Sequence, residues 1–302
     1  NLLNKYSKNL ICQNDIIQDF KSIKNETEIG CIKKAHLYDG VSMCKFLFWF
    51  KSTNAKISEI DIVNKIDDLR RKNKGFLSLS FPTIAGSGPN GSIIHYQPSE
   101  KSHRVLKKDD ILLLDSGGQY LCGTTDVTRT ICFTKPKRII KNIFTKVLKG
   151  HIAVVKTNLN KYNTGNLIDK RARKFLKKVN LDYLHGTGHG VGFFLNVHEG
   201  PQAISKYNKI KITEGMILSN EPGFYKKGKF GIRIENLVYV KKIAGKISFE
   251  NLTLAPIEKD LINSELLTNK EKNYLFNYHL KVYSKISPFL SKKEKKWLAT
   301  FI

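Results

Sequence analysis

Residues 181–201 read LDYLHGTGHGVGFFLNVHEGP, and residues 217–236 read ILSNEPGFYKKGKFGIRIEN. Three of the chain's eight histidines, His185, His189 and His198, fall in this window together with Glu221 and Glu235. Imidazoles and carboxylates crowded in this way point to a metal site. His185 and His189 are spaced as in helical zinc motifs. Glycine at positions 186, 188, 190 and 192 argues instead for an extended or looping backbone that can approach a ligand closely. Even in an extended chain the two histidines face one way, because side chains repeat every second residue.

Upstream, residues 108–133 read KDDILLLDSGGQYLCGTTDVTRTICF, with Asp115 closing an apolar run and Asp126 opening a β-branched one. The layout echoes the later segment. Ile111 to Leu114, Asp115, Gly117, Tyr120, Gly123 and Asp126 parallel Met216 to Leu218, Glu221, Gly223, Tyr225, Gly228 and Glu235. This reads as two related hairpins, each delivering two carboxylates. Four carboxylates gathered alone repel one another and take up protons, whereas two divalent cations balance their charge. A set of four carboxylates, one histidine and no cysteine suits manganese or another hard ion better than structural zinc. Cobalt, iron and zinc stay open.

Seven motifs carry a family resemblance: IIHY at 93–96, DSGGQY at 115–120, GTTDVTRT at 123–130, HGTGHGVG at 185–192, FLNVHEGP at 194–201, NEPGFY at 220–225 and GIRIEN at 231–236. Together they resemble aminopeptidase P, the Xaa-Pro aminopeptidases among the pita-bread metallopeptidases, over roughly residues 15–302. The resemblance implies an α/β (α+β) pita-bread fold with pseudo-twofold symmetry and a C-terminal helical extension. It implies two divalent ions, manganese first, with Asp115 on one, His189 and Glu221 on the other, and Asp126 and Glu235 bridging. Hydrolysis is expected through a hydroxide held between the ions, with Glu221 taking and returning the proton. His95, His185, His198 and Arg233 match residues around the substrate, and His95, His198 and Arg233 are expected to assist catalysis. Arg233 lies two residues before Glu235 and so faces the same side of a strand.

The implied reaction removes the N-terminal residue from peptides with proline in second place. An Xaa-Pro bond has no N–H and a fixed φ, so proteases that grip substrates by strand-like hydrogen bonding handle it poorly. The closest rival is a prolidase restricted to Xaa-Pro dipeptides; methionine aminopeptidase fits the flanking motifs less well. A non-catalytic relative serving as a binding module would typically lack ligands, and all five are present. A homodimer is also implied.

Composition is globular: 302 residues, 41% hydrophobic and 10% aromatic. No apolar run approaches the ~18 residues of a membrane span. The net charge of +26 raises the question of nucleic acid. Lysines are scattered singly or in pairs without interleaved aromatics, and far outnumber arginine, so no specific nucleic-acid partner is expected. Five cysteines form no C-x-x-C pair and leave one over, which fits a reducing compartment and a cytoplasmic location.

Along the chain, residues 1–14 lack periodicity and read as the remnant of a preceding domain or linker. Residues 15–260 form the expected catalytic domain and 261–302 the helical extension. A long helix is predicted from Asn25 to about Phe50, then one capped by Ser58 and ended by Gly75. Gly86 to Gly91 spells G-x-G-x-x-G, but Pro89 and the following Ser92–His95 predict a turn into an apolar strand ending at His95, not a dinucleotide loop. Two helices follow Pro136, one carrying Phe144 and Val147, the other Ile168 and Leu176. The extension reads as two amphipathic helices with capping boxes at Thr268–Glu271 and Ser291–Glu294, docked through Leu275, His279, Val282, Trp297, Leu298 and Phe301. His279 is expected to pack.

Overall fold

A computed structural model describes residues 5–6, 15–134 and 136–302. The remnant expected at 1–14 lies, apart from residues 5–6, outside the described residues, as does Cys12. From residue 15 onward come helices α1 (Ile16–Ser22), α2 (Glu26–Ser52) and α3 (Glu59–Arg71). Asn25 with Glu28, and Ser58 with Asp61, close reciprocal capping boxes that satisfy the orphan N–H groups starting α2 and α3. Strands β1 (Phe76–Leu79) and β2 (Ile84–Ser87) follow, then β3 (Ile111–Ser116), β4 (Gly118–Tyr120), β5 (Gly123–Thr124) and β6 (Val127–Cys132). Helices α4 (Arg138–Val155) and α5 (Gly165–Lys177) lead to β7 (Gly188–His189) and β8 (Ala203–Ile204). The second half continues with β9 (Ile217–Asn220), β10 (Gly223–Lys226), β11 (Phe230–Arg233), β12 (Asn236–Ile243) and β13 (Lys246–Asn251). Helices α6 (Asn269–Ile286) and α7 (Lys292–Ala299) end the chain.

The echo in the sequence is an echo in space. Antiparallel β3 and β6 pair Ser116 with Val127, and the β4–β5 hairpin sits between them. Antiparallel β9 and β12 pair Asn220 with Asn236, and the β10–β11 hairpin sits between those. Each ladder therefore brings its carboxylates to the end where its hairpin leaves. The ladders meet edge to edge: Glu235 N donates to Thr128 O at 3.1 Å, and Arg233 N donates to Thr130 Oγ1 at 3.0 Å. With helices packed on both halves, this is the pita-bread fold, mixed α and β, that the motifs imply.

Close backbone contact seats the second ladder against the first. A Cβ on Gly231 would sit 1.7 Å from Gly91 O, so the β11 strand can lie on the 88–92 turn only with glycine at the crossing. Gly40, inside α2, meets the same demand: its Cβ would stand 2.6 Å from Leu254 O. The helix therefore runs unbroken through two glycines that weaken its propensity.

The G-x-G-x-x-G stretch begins in β2 with Gly86 and Ser87, continues as a short 3-10 turn, Gly88–Ser92, and opens no α-helix. The apolar strand expected up to His95 does not form. The chain keeps turning, with Ile93 N bonded to Asn90 O and Tyr96 N to Ile93 O. Tyr96 drives this, because its buried hydroxyl bonds Glu59 at 2.9 Å and Ser102 O at 2.8 Å, folding 93–102 back on α3.

The capping boxes at Thr268 and Ser291 both form. Leu275, Tyr278, Val282, Ile286 and Leu298 join one apolar cluster with Val41, Cys44, Ile111 and Val147, and Trp297 and Phe301 pack against it. His279 is buried, and its Nε2 accepts from Ile257 N at 3.1 Å. Cys31, Cys44, Cys122 and Cys132 are free. Among the described residues no helix is long and apolar enough to cross a membrane.

Candidate metal centre

His189 occupies a two-residue strand, held by its N–H donating to Ser219 Oγ at 2.9 Å. Its Nδ1–H donates to Gly190 O at 2.9 Å, which fixes the tautomer and leaves Nε2 free to bind a cation. Nε2 faces Glu221 Oε1 at 3.4 Å and Asp126 Oδ2 at 3.6 Å. Asp126, His189 and Glu235 each offer a ligand atom, all within 4.8 Å of one another. Glu221 adjoins this trio through His189, and Ser219 Oγ donates to its Oε1 at 3.0 Å. Asp115, the fifth expected ligand, is drawn to Arg233, whose Nη2 donates to Oδ2.

The charge balance at this point is that of a cation site. Asp115 Oδ1 and Asp126 Oδ1 are buried with no hydrogen-bond partner, a costly state for carboxylate oxygens unless they meet a cation. Burial pushes the Asp126 carboxyl well above its usual range, and the charges of Asp115 and Glu221 push it further. Glu235 is raised too, by burial first and then by Asp126, Glu221 and Asp115. Burial would also raise Glu221, but His189, His185 and Arg233 hold it below its ordinary value. An oxygen-rich set with orphaned oxygens and one free imidazole nitrogen fits hard divalent ions.

Around the carboxylates runs a chain of hydrogen bonds with a single direction. Arg233 Nη1 donates to Tyr225 Oη at 2.6 Å, and Tyr225 Oη reaches His185 Nε2 at 2.9 Å. His185 Nδ1–H donates to Gly186 O at 2.7 Å, so Nε2 accepts. Burial lowers the His185 pKa, which keeps it neutral in that role. Arg233 is buried, yet Tyr225, Asp115 and Glu221 hold it charged, well above its ordinary value.

A cavity of about 400 Å³ opens over these groups. Phe81, Pro82, Ile84 and Ile94 supply apolar lining beside the ligand set, and His95, His185, His198 and Arg233 line the same cavity. His198 stands edge-on to His189 with ring centroids 4.1 Å apart, and its pKa is lowered by burial and then by His189. His95 projects from the exposed turn described above. All nine residues singled out in the sequence therefore line one cavity.

Three partners escaped the sequence reading: Tyr225, Thr128 and Ser219. Thr128 Oγ1 donates to Glu235 Oε2 at 2.7 Å and accepts from Arg233 Nε at 3.1 Å. Thr128 follows Asp126 by two residues and Ser219 precedes Glu221 by two, so strand alternation was the available signal.

Two other features compete for attention and yield nothing metallic. Cys132, Glu258 and Asp260 also converge, but Lys51 Nζ fills the space between the acids, 2.6 Å from Glu258 and 3.3 Å from Asp260. A larger groove of about 860 Å³ lies between β13 and α6, away from the carboxylates. Its acid, Glu250, is already paired with Lys241 and Lys281.

Comparison with known proteins places this geometry in a family. An uncharacterized peptidase of Schizosaccharomyces pombe is 44% identical over 94% of this chain and 50% of its own length. A probable Xaa-Pro aminopeptidase P of Arthroderma gypseum is 43% identical over 93% of this chain and 47% of its own. The chain thus spans about half the length of the curated relatives it matches. The X-prolyl aminopeptidase from Caenorhabditis elegans, described as a cytosolic enzyme with a di-nuclear active site, superposes with a TM-score of 0.90 at 36% identity, covering 95% of this chain and 49% of that one. A prolidase from Thermococcus sibiricus superposes with a TM-score of 0.69 at 34% identity, covering 80% of this chain and 63% of its own. The sequence model of metallopeptidase family M24 matches residues 30–242, and that of the C-terminal region of peptidase M24 matches residues 246–300. On that match and on those identities, the chain belongs to metallopeptidase family M24.

Proposed function

We propose that this chain carries the active site of a metal-dependent Xaa-Pro aminopeptidase, hydrolysing the bond between an N-terminal residue and proline. Asp115 would hold one divalent ion, His189 and Glu221 the other, with Asp126 and Glu235 shared between them. Manganese is the first choice. The observation that carries the reading is the pair of orphaned buried oxygens on Asp115 and Asp126, in the same cavity as His189 Nε2, which stands 3.6 Å from the Asp126 carboxylate with its Nδ1–H already spent on Gly190 O. When bound, two such ions would supply a Lewis acid for the scissile carbonyl and lower the pKa of the attacking water toward neutrality.

The chain's own residues do the rest. Glu221 uses Oε2, the oxygen not engaged by Ser219, to take the proton of the attacking water and return it to the leaving nitrogen of proline. Arg233, kept charged and tied by Tyr225 and Thr128, presents a fixed positive field to the oxyanion that develops on the carbonyl. His95 and His198, lining the same cavity, bind and orient the substrate carbonyls. The apolar lining of Phe81, Pro82, Ile84 and Ile94 shelters the proline ring and excludes water from the bond being cut. None of these contacts needs an amide N–H after the scissile carbonyl, the donor that proline lacks.

The same site could serve a prolidase, and the superposition on the T. sibiricus enzyme keeps that reading in play. We also propose a cytoplasmic location, supported by the free cysteines and the cytosolic C. elegans neighbour, and a homodimer. With manganese, hydrolysis of Arg-Pro-Pro but not Ala-Ala-Ala is the expected result; equal cleavage of both overturns the assignment. Cleavage of Arg-Pro alone would make it a prolidase.

A further inference from the structure

Arg129 sits on the face of β6 opposite the site, is 1% exposed, and spends its guanidinium on six uncharged acceptors. Nη1 donates to Thr128 O at 2.8 Å and to Glu235 O at 2.6 Å. Nε donates to Pro256 O at 3.0 Å. Nη2 donates to Asn236 Oδ1 at 2.8 Å, Ala255 O at 2.7 Å and Tyr278 Oη at 3.0 Å. Tyr278, on α6, donates its own O–H to Ala255 O at 2.7 Å. A buried guanidinium solvated only by dipoles is tolerated when those dipoles converge and stay put. The fan therefore fixes its acceptors relative to one another.

Glu235 is consequently held at both ends by adjacent residues of β6: Thr128 grips the carboxylate and Arg129 the main-chain carbonyl. On its far side the same guanidinium is anchored to the 255–256 segment and to α6. We propose that Arg129 and Tyr278 are positioning residues, through which the C-terminal helices hold Glu235 in the geometry that binds metal. The C-terminal region is then a working part of the metal centre. The inference rests on the proposed role of Glu235 as a ligand.

Arg129→Ala risks preventing folding, so the test uses Tyr278→Phe, which keeps the ring and removes one acceptor. Thr268→Ala is the control: it removes the cap of the same helix and touches neither Arg129 nor Glu235. Manganese affinity is measured by calorimetry on the metal-free full chain, with the fraction folded set by circular dichroism. Lost outer contacts of this kind weaken metal binding about tenfold or more. Tyr278→Phe is expected to show that loss, together with a weakened coupled two-ion signal in electron paramagnetic resonance, while Thr268→Ala binds as the parent does. Parent-like binding by Tyr278→Phe, or equal weakening in both variants, overturns the proposal. Glu235→Ala separates the two levels. If it binds two ions as the parent does, the ligand assignment itself fails and takes this inference with it.

Discussion

The hydroxyl of Thr128 donates to the carboxylate of Glu235 at 2.7 Å across the junction between the two ladders, residues 107 positions apart in the chain. The same oxygen accepts from Arg233 Nε, so one threonine sets the orientation of an expected ligand and of the cation beside it. Thr128→Val keeps the shape and leaves two buried polar groups without a partner. Unpaired buried groups cost about 1–3 kcal/mol each, and disturbed outer contacts weaken metal binding about tenfold or more. Urea unfolding and manganese titration should show both losses, and Thr128→Ser should recover most of each.

Arg233 reaches Asp115, Tyr225 and Thr128 with three different nitrogens. A lysine supplies one ammonium and no fork. Arg233→Lys should therefore lower kcat on the order of 10² or more, as loss of an aligned oxyanion partner does, with a smaller change in KM. Steady-state kinetics on Arg-Pro-Pro check it. An unchanged kcat would move Arg233 from the chemistry to the scaffold.

Metal removal should matter more as the pH rises. Asp126 and Glu235 are raised well above their ordinary values, by burial and then by neighbouring carboxylates, Asp115 and Glu221 for Asp126 and Asp126 first for Glu235. A carboxyl raised in the folded form holds its proton there more tightly than in the unfolded chain. Its contribution to stability therefore falls as pH climbs through the raised values. Cations replace those protons. The gap between the melting temperatures of the manganese form and the chelated form should widen as the pH rises above the ordinary carboxylate range. Taking the difference cancels every titration the two forms share.

His279 imposes a dependence of opposite sign. Burial, and then the charge of Arg129, push its pKa down to about 4, from an ordinary value of 6.5. The folded form binds this proton less well than the unfolded chain does. The associated stability is present above about pH 6.5 and drains as pH falls toward about 4, roughly 3 kcal/mol in all at 1.36 kcal/mol per pH step. His279→Gln keeps an acceptor for Ile257 N and should flatten the unfolding free energy across that window. A variant as acid-sensitive as the parent would assign the effect elsewhere, first to buried His151, whose pKa is lowered to about 3.

How much of this was legible in the sequence follows from the range of each interaction. Asp115, Asp126, Glu221 and Glu235 announced themselves because each stands at the end of an apolar or β-branched run, and the two runs repeat. The capping boxes at Thr268 and Ser291 were legible because their partners lie three residues away. Thr128 shares its strand face with Asp126 and Tyr225 stands in the repeated pattern, but their roles, like that of Arg129, are set by partners such as Glu235 and His185 that lie far off in the chain and that local composition does not show. His95 was misplaced on a strand for a related reason. Ile93 and Ile94 read as apolar pattern, but Tyr96 is bonded to Glu59, 37 positions away, and that tether bends the chain.

The most direct test is anomalous scattering from crystals of the protein soaked in manganese. Two ions per chain are expected, one touching Asp115, the other touching His189 and Glu221, and both touching Asp126 and Glu235. A single ion, or ions away from those five side chains, would contradict the assignment.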